Sequence, residues 1–316
     1  MRRRPLGRSG LEVAPLAFGG NVFGWTVDDA MAGRLLDRFV DAGYNLIDTA
    51  DVYSNWVPGH VGGESEAMVG RWLKRSGRRN DVLIATKVGM KTAQGTQGLA
   101  PDHIRRSLDA SLERLATDHV DLYQSHVDDP GTPLADTLST YRDLRDAGRV
   151  RAIGASNYSG ARLTEAIGVS RQAGLPEYQS LQPRYNLLDR AEFERDQASA
   201  CAATGVGLLP YAALASGFLT GKYRSADDIG KSPRGPRMTG RLDGRGLRIL
   251  DALDQVAKEL DSRPATVALA WLMARPGVTA PIASATSVQQ LDELFGAADL
   301  TLDSDARRRL DEASRP

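Results

Sequence analysis

Asn45-Leu46-Ile47-Asp48-Thr49-Ala50-Asp51-Val52-Tyr53 reads as a buried strand that hands its end to a loop. Leu46 and Ile47 form a short apolar run, Asp48 closes it, and Tyr53 follows after a turn's worth of residues. Such a strand presents its last side chains at the mouth of the barrel or sheet it belongs to, where an acid and a phenol can meet. Alone, the stretch has a second reading, in which Asp48 caps the following loop and Tyr53 packs on it. The rest of the chain bears on the choice.

Around this stretch, strands and helices alternate. The N-terminus reads as a short hairpin around Gly7 and Gly10, of a kind that plugs a barrel floor. Leu16-Ala17-Phe18 is a strand that enters the turn Gly19-Gly20-Asn21, and from Asp28 the residues Met31, Leu35, Leu36, Phe39 and Val40 recur at helical spacing until Gly43. After the opening stretch come a helix over Glu64 to Lys74, a strand over Val82 to Lys87, and a helical stripe of Ile104, Leu108, Leu112 and Leu115. Val120 to His126 predicts the fourth strand, and Leu134, Leu138, Tyr141 and Leu144 mark the helix that ends near Gly148. Val150 to Ser156 is the fifth strand, followed by a helix over Ala161 to Arg171. Gln179 to Gln182, Val206 to Pro210 and Val278 to Ile282 complete the strands.

Eight strand-helix units favour a closed (β/α)8 TIM barrel, class α/β, over an open doubly wound sheet. No Gly-rich dinucleotide fingerprint follows the first strand, which also argues against the open sheet. Nothing in the alternation marks a domain boundary, so residues 1–316 are expected to form a single domain. One interruption is large: Arg224 to Gly246, after the seventh strand, is a loop rich in Gly, Pro and Arg. Its Arg224, Arg234, Arg237, Arg241 and Arg245 suit either an anionic ligand at the barrel top or a solvated basic surface.

Composition narrows the function. Lys and Arg number 40, as do Asp and Glu, and a formal net charge of +0 supplies no field for nucleic acid or an acidic membrane. Cys201, the single cysteine, excludes an internal disulfide framework, and no Cys/His cluster has zinc-ligand spacing, so no metal is expected. No apolar run reaches membrane-spanning length, and Met1-Arg2-Arg3-Arg4 runs into Pro5 rather than a signal-peptide core, so the expectation is a cytoplasmic protein. Cys201 itself, among alanines, reads as a buried inert thiol, and His60, His103 and His119 as surface residues.

In a barrel, the strand ends converge on one face. Asp48 and Tyr53 follow the second strand, Lys87 ends the third and His126 ends the fourth. Burying an acid, an ammonium and a phenol together is costly unless they pair. Lys87, held by Asp48 beside Tyr53, is expected to pull the phenol's pKa below its ordinary value of about 10 and so ready it to give a proton. A metal-dependent hydrolase using Asp48, Asp51, His126 and Asp128 is the rival, but Lys87 would put a positive charge among its ligands.

The residues resemble the aldo-keto reductases, and most closely the bacterial, potassium-channel β-subunit-like branch. Asp48, Tyr53, Lys87 and His126 stand in that family's contexts Asp-Thr-Ala-x-x-Tyr, Ala-Thr-Lys and Asp-Leu-Tyr-x-x-His. Gly154-Ala155-Ser156-Asn157 and Leu181-Gln182-Pro183-Arg184-Tyr185-Asn186 are similar to its next elements, and the resemblance covers essentially the whole chain. It implies an NADP(H)-dependent oxidoreductase that reduces an aldehyde or ketone by direct hydride transfer, with Tyr53 as general acid, Lys87 and Asp48 tuning it, and His126 orienting the carbonyl. The alternative is a cofactor-binding regulatory subunit with little turnover, although channel β subunits typically lack the His kept here at His126.

The resemblance also assigns the cofactor residues. Gly20 and Asn21 flank the cofactor, Ser156, Asn157 and Gln182 hold the nicotinamide carboxamide, and Tyr211 stacks on the ring. Leu214, Ser216, Gly217 and Lys222 lie in the pyrophosphate segment, where small residues allow close backbone approach. Ser284, Thr286, Gln290 and Glu293 meet the adenosine 2′-phosphate and adenine. Ser287 and Gln290 form a capping box of their own accord, many members carry Arg where Thr286 stands, and Leu294 replaces an Asn that often contacts adenine. NADPH is the expected cofactor, with NADH not excluded. The substrate is a small-molecule carbonyl compound, held by a rim of Phe23, Trp25, the loop Asn55-Trp56-Val57-Pro58, and Val127 with Asp128; Trp56 equally suits a loop anchor. The natural substrate and the oligomeric state are not legible.

Overall fold

A computed structural model describes residues 2–316. β1 (Arg4–Pro5) and β2 (Glu12–Val13) form an antiparallel hairpin with Arg4 opposite Val13. Leu6, Leu11 and Val13 bury themselves against Leu46, Ala85, Leu122 and Ala152, so the hairpin does plug the barrel floor.

The remaining strands are β3 (Ala17–Gly19), β4 (Leu46–Asp48), β5 (Leu83–Val88), β6 (Val120–Ser125), β7 (Val150–Ser156), β8 (Ser180–Gln182), β9 (Gly207–Leu208) and β10 (Ile282–Ala283). They pair in parallel in chain order, with β10 beside β3. The seam closes where Leu208 bridges Val278 and the Ile282 amide donates to the Pro210 carbonyl at 2.8 Å. This is the expected (β/α)8 barrel. The helices between strands are α1 (Asp29–Asp41), α2 (Glu64–Ser76), α3 (Pro101–Leu115), α4 (Leu134–Asp146), α5 (Gly160–Ala173) and α6 (Ala198–Thr204). α7 (Gly244–Glu259) and α8 (Pro264–Met273) both follow β9, and α9 (Val288–Phe295) and α10 (Ser304–Ala313) follow β10.

Local chemistry explains these boundaries. Asp28 caps α1 by accepting from the Met31 amide at 2.8 Å, and the helix buries Leu35, Leu36 and Phe39 against the sheet. α8 opens on Pro264 and is buried from Ala265 to Met273, as a helix apolar on every face must be, and its one hydroxyl, Thr266, donates to the Glu293 carbonyl at 2.9 Å.

Two strands differ from expectation. The seventh is confined to Gly207–Leu208 rather than running from Val206 to Pro210, and the eighth lies at Ile282–Ala283 rather than Val278 to Ile282. Each expected span contains a proline, Pro210 or Pro281, which has no N–H for a ladder. Residues 224–246 are not a loose loop either: short 3₁₀ turns run over Ala226–Lys231 and Gly235–Arg241, and Met238 is fully buried.

Candidate active site

Side chains alternate along a strand, so Asp48, Lys87 and Gln124 point into the barrel one step above Leu46, Ala85 and Leu122 of the floor layer. Lys87 lies directly opposite Gln124, and Gln124 opposite Gly154. A Cβ at position 154 would stand 2.3 Å from Ser180 Oγ and 3.1 Å from Gln124 Cγ, so this glycine makes room for the neighbouring strands' side chains, the glutamine among them.

Lys87, 0% exposed, donates from Nζ to Asp48 Oδ2 at 2.7 Å, to the Thr49 carbonyl at 2.7 Å and to Tyr53 Oη at 2.9 Å. Three acceptors match the three protons of an ammonium. Asp48, 1% exposed, also accepts from Tyr53 Oη at 3.3 Å, from Gln182 Nε2 at 2.9 Å and from Gln124 Nε2 at 3.3 Å. Burial pulls the Lys87 ammonium down from its ordinary range, and the Asp48 charge opposes that pull.

The expected direction for Tyr53 is overturned. Its pKa lies well above 10, because burial penalises the phenolate and the Asp48 charge and hydrogen bond favour the protonated phenol. Lys87 does not outweigh them. His126, 8% exposed, follows β6 and is anchored by its amide to the Val88 carbonyl at 2.8 Å. Burial and the Lys87 charge push its pKa well below 6.5, so the ring is neutral, and Nδ1 is buried without a partner. Its centroid lies 6.1 Å from that of Tyr53.

A cavity of about 1180 Å³ runs from Tyr53 along the barrel top to the start of α9. Asn21, Tyr211, Leu214, Ser216, Gly217 and Lys222 line its course, and Ser284, Thr286, Gln290 and Glu293 line its far end. Ala215, Ser216 and Gly217 all have positive φ, a tight curl that keeps this stretch of wall to small side chains. Ser284 Oγ donates to the Gly19 carbonyl at 2.7 Å and bonds Asn21 Oδ1 at 2.6 Å. Ser287 caps α9 by accepting from the Gln290 amide at 3.2 Å, but the Gln290 side-chain Oε1 reaches past it to accept from the Thr286 amide and hydroxyl, both at 3.0 Å. The expected capping box thus closes one residue early.

Gly20, Lys87, His126, Val127, Ser156, Asn157 and Gln182 do not line this cavity, which Asp48 and Tyr53 reach. Gly20 gives its carbonyl to Ser65 Oγ at 2.8 Å, beside α2. Ser156 donates to the Gln182 carbonyl at 2.9 Å, and Asn157 donates to the His126 carbonyl at 2.9 Å and accepts from the Tyr211 hydroxyl at 2.8 Å. These polar residues therefore join the cavity through Tyr211 and the tetrad through Gln182. Trp25 and Trp56 do line the mouth, with Trp56 42% exposed. Phe23 is instead core, stacked on Phe18 at 5.2 Å, and Asp128 is paired with Arg162 at 2.9 Å. His60 and His103 are half-buried, each with a buried ring nitrogen that lacks a partner, rather than surface residues. Cys201 is buried and its thiol pushed up to about 12, as an inert thiol should be.

Sequence reasoning missed Gln124 and the cavity cations Arg184 and Arg263. For Gln124 the signal was present: a polar residue two before His126, on the same strand face. Of the five loop arginines, Arg234, Arg237 and Arg241 face the cavity. Arg224 turns away to Asp254 at 2.7 Å, and Arg245 to the Ser314 carbonyl at 2.7 Å.

Asp51 is buried beside this network with Oδ1 unpartnered, and burial with the Glu66 charge raises its pKa from 3.8 to about 8. The folded state keeps this proton after the unfolded chain has released it, so stability falls as pH rises from 3.8 toward about 8. Asp51→Asn should flatten that slope and raise the melting temperature at the alkaline end by about 5 °C, read by thermal unfolding across pH. An unchanged slope would show that Asp51 is ionised in the folded protein. Among the described residues no group of three or more His, Cys, Asp or Glu is placed to hold a metal, and no helix is long and apolar enough to cross a membrane.

The geometry agrees with what comparison finds. The family model described as "Aldo/keto reductase family" matches residues 15–315. The chain is similar to the uncharacterized oxidoreductase YrpG of Bacillus subtilis (strain 168), 34% identical over 97% of this chain and 94% of that one. It is similar to a protein of Oryza sativa subsp. japonica named a probable voltage-gated potassium channel subunit beta, 34% identical over 95% and 92%. It is also similar to norsolorinic acid reductase of Aspergillus flavus, 29% identical over 96% of this chain and 79% of that one. The barrel, the strand-end tetrad and these matches agree: the chain belongs to the aldo/keto reductase family.

Proposed function

We propose that this chain, acting as one domain over 1–316 in the cytoplasm, is an NADPH-dependent reductase of aldehydes or ketones with Tyr53 as general acid. The observation that carries the proposal is the buried Lys87 ammonium joined to Asp48, Thr49 and Tyr53 where the cavity begins. NADPH, when bound, supplies hydride to the carbonyl carbon. Tyr53 gives its proton to the carbonyl oxygen as charge develops there. Its raised pKa is no obstacle, since an alkoxide is a stronger base than a phenolate. The phenol's bond to Asp48 is long, at 3.3 Å, so its proton can turn toward the substrate while Lys87 holds the oxygen at 2.9 Å. His126, neutral, donates a hydrogen bond to the same carbonyl oxygen and aligns it.

The fit to a dinucleotide rests on the cavity's length, on the small-residue curl at Ser216 and Gly217 with Lys222 beside it, and on its polar far end. Gln182 turns its amide donors inward to Asp48 and Gln124 and leaves its carbonyl oxygen to accept from a carboxamide. Lys222 and Arg237 supply counter-charge for phosphates, and Thr286 with the start of α9 suits the 2′-phosphate that separates NADPH from NADH.

Nicotinamide absorbance during reaction with an aldehyde panel tests this, with NADPH and NADH run in parallel. Oxidation of NADPH at least about tenfold more efficient than that of NADH is expected. Tight cofactor binding with no turnover of any carbonyl would instead favour a regulatory subunit, the reading prompted by the rice relative's name.

A further inference from the structure

Several cations line the cavity without an ion pair among the described residues, Lys222, Arg237 and Arg263 among them, but Arg234 is the one with a buried guanidinium nitrogen that no acceptor meets. Its guanidinium lies over the Trp25 ring at 5.1 Å. Its Nη2 is buried with no hydrogen-bond partner, and no carboxylate forms an ion pair with it among the described residues. Burial and the neighbouring Arg237 charge together lower its pKa, as they do for a cation left unneutralised. Three other loop cations are satisfied: Arg224 has Asp254, Lys231 has Asp228 and Arg241 has the Ala215 carbonyl, whereas Arg237 is exposed to solvent.

The placement is held by packing. A Cβ at Gly235 would stand 1.5 Å from the Ile229 carbonyl, so the turn beside Arg234 closes on bare backbone. Tyr223 and Ser232 share a hydroxyl bond at 2.6 Å that ties the same segment to the barrel. From Arg234 a line of ring contacts leads to the reacting phenol: Trp25 meets Trp56 edge-on at 6.0 Å, and Trp56 meets Tyr53 at 6.2 Å. Arg234 thus belongs to the tryptophan mouth, at the opposite end from Thr286 and Gln290. An arginine fork desolvated on an aromatic face and lacking its anion is suited to bidentate capture of a planar oxyanion.

We infer that Arg234 is a specificity residue that selects carbonyl substrates carrying a carboxylate on a flat apolar body, the body lying against Trp25 and Trp56 and the carbonyl reaching Tyr53. This deepens the proposed reductase reading and rests on it. A half-buried cation with one nitrogen desolvated and unpaired discriminates, because a neutral analogue leaves that desolvation uncompensated.

The test compares 4-formylbenzoate with its methyl ester, using NADPH and the full chain. Wild type should reduce the acid at least about tenfold more efficiently in kcat/KM than the ester, and Arg234→Met should lower the value for the acid about thirtyfold. The ester's value and the dissociation constant for NADPH should move less than about twofold, which also shows that the variant is folded. Arg234→Lys, which keeps the charge and loses the fork, should fall between. Equal use of acid and ester by wild type would overturn the inference and leave the reductase reading standing, as would a loss for both substrates together with weakened NADPH binding, which would assign Arg234 to the cofactor. Reduction of neither aldehyde would count against the reductase reading and carry this inference down with it.

Discussion

Tyr53→Phe should lower the turnover number for carbonyl reduction by about 10³-fold while the dissociation constant for the cofactor changes by less than about twofold. The variant removes one oxygen and nothing else. Lys87 keeps Asp48 and the Thr49 carbonyl at 2.7 Å each, and Asp48 keeps Gln182 and Gln124, so the buried pair survives. What is lost is the only proton donor that Lys87 and Asp48 both hold. Quenching of the tryptophans at the cavity mouth reads cofactor binding independently of turnover. Because burial keeps Tyr53 protonated and His126 neutral, wild-type turnover in the reducing direction should vary little between about pH 6 and pH 8. The reverse reaction needs a phenolate to accept the alcohol's proton and should rise with pH over the same range. Turnover by Tyr53→Phe within tenfold of wild type would assign the proton to another group, with His126 the first to examine.

The order of strands and the tetrad were legible because each rests on a local pattern. An apolar run ending in Asp48, a Thr-Lys pair closing β5 and a His just past β6 can be read one strand at a time, and barrel geometry then brings them together. What could not be read was set by partners distant in sequence. The inward face of Gln124 is readable from its strand, but that it and Gln182 both reach Asp48, 76 and 134 residues away, is not, because no spacing along the chain announces that three strands share one carboxylate. The pKa of Tyr53 went the wrong way for a related reason: pairing with Lys87 was inferred, whereas the depth of burial and the 3.3 Å approach of Asp48 depend on the whole barrel. Short strands near Pro210 and Pro281 were overextended because their apolar residues continue past the ladder. The arginine-rich segment left two readings open, and the structure divides its arginines between them: Arg234, Arg237 and Arg241 face the cavity, while Arg224 and Arg245 bind surface acceptors.

Lys87→Met should produce the largest combined loss, in stability as well as rate. The side chain is 0% exposed and its ammonium has three acceptors, so methionine fills the volume while stripping Asp48 Oδ2 of its charged donor. Asp48 is then left as a buried carboxylate held only by neutral donors, the situation in which breaking an ion pair costs about 3–5 kcal/mol. For a chain of this size that corresponds to a melting temperature lower by about 10 °C. Turnover should fall by about 10³-fold or more, since Tyr53 loses the bond that places its oxygen. A second substitution separates the two losses. In Asp48→Asn with Lys87→Met, the amide oxygen can still accept from Gln182 and no charge remains to be neutralised, so most of the stability should return. Activity should not return, because neither the placing bond nor the charge pair has been restored. Lys87→Met melting within about 2 °C of wild type would mean that the ion pair adds nothing to the fold, and recovery of turnover by the double variant would mean that the pair serves the fold alone.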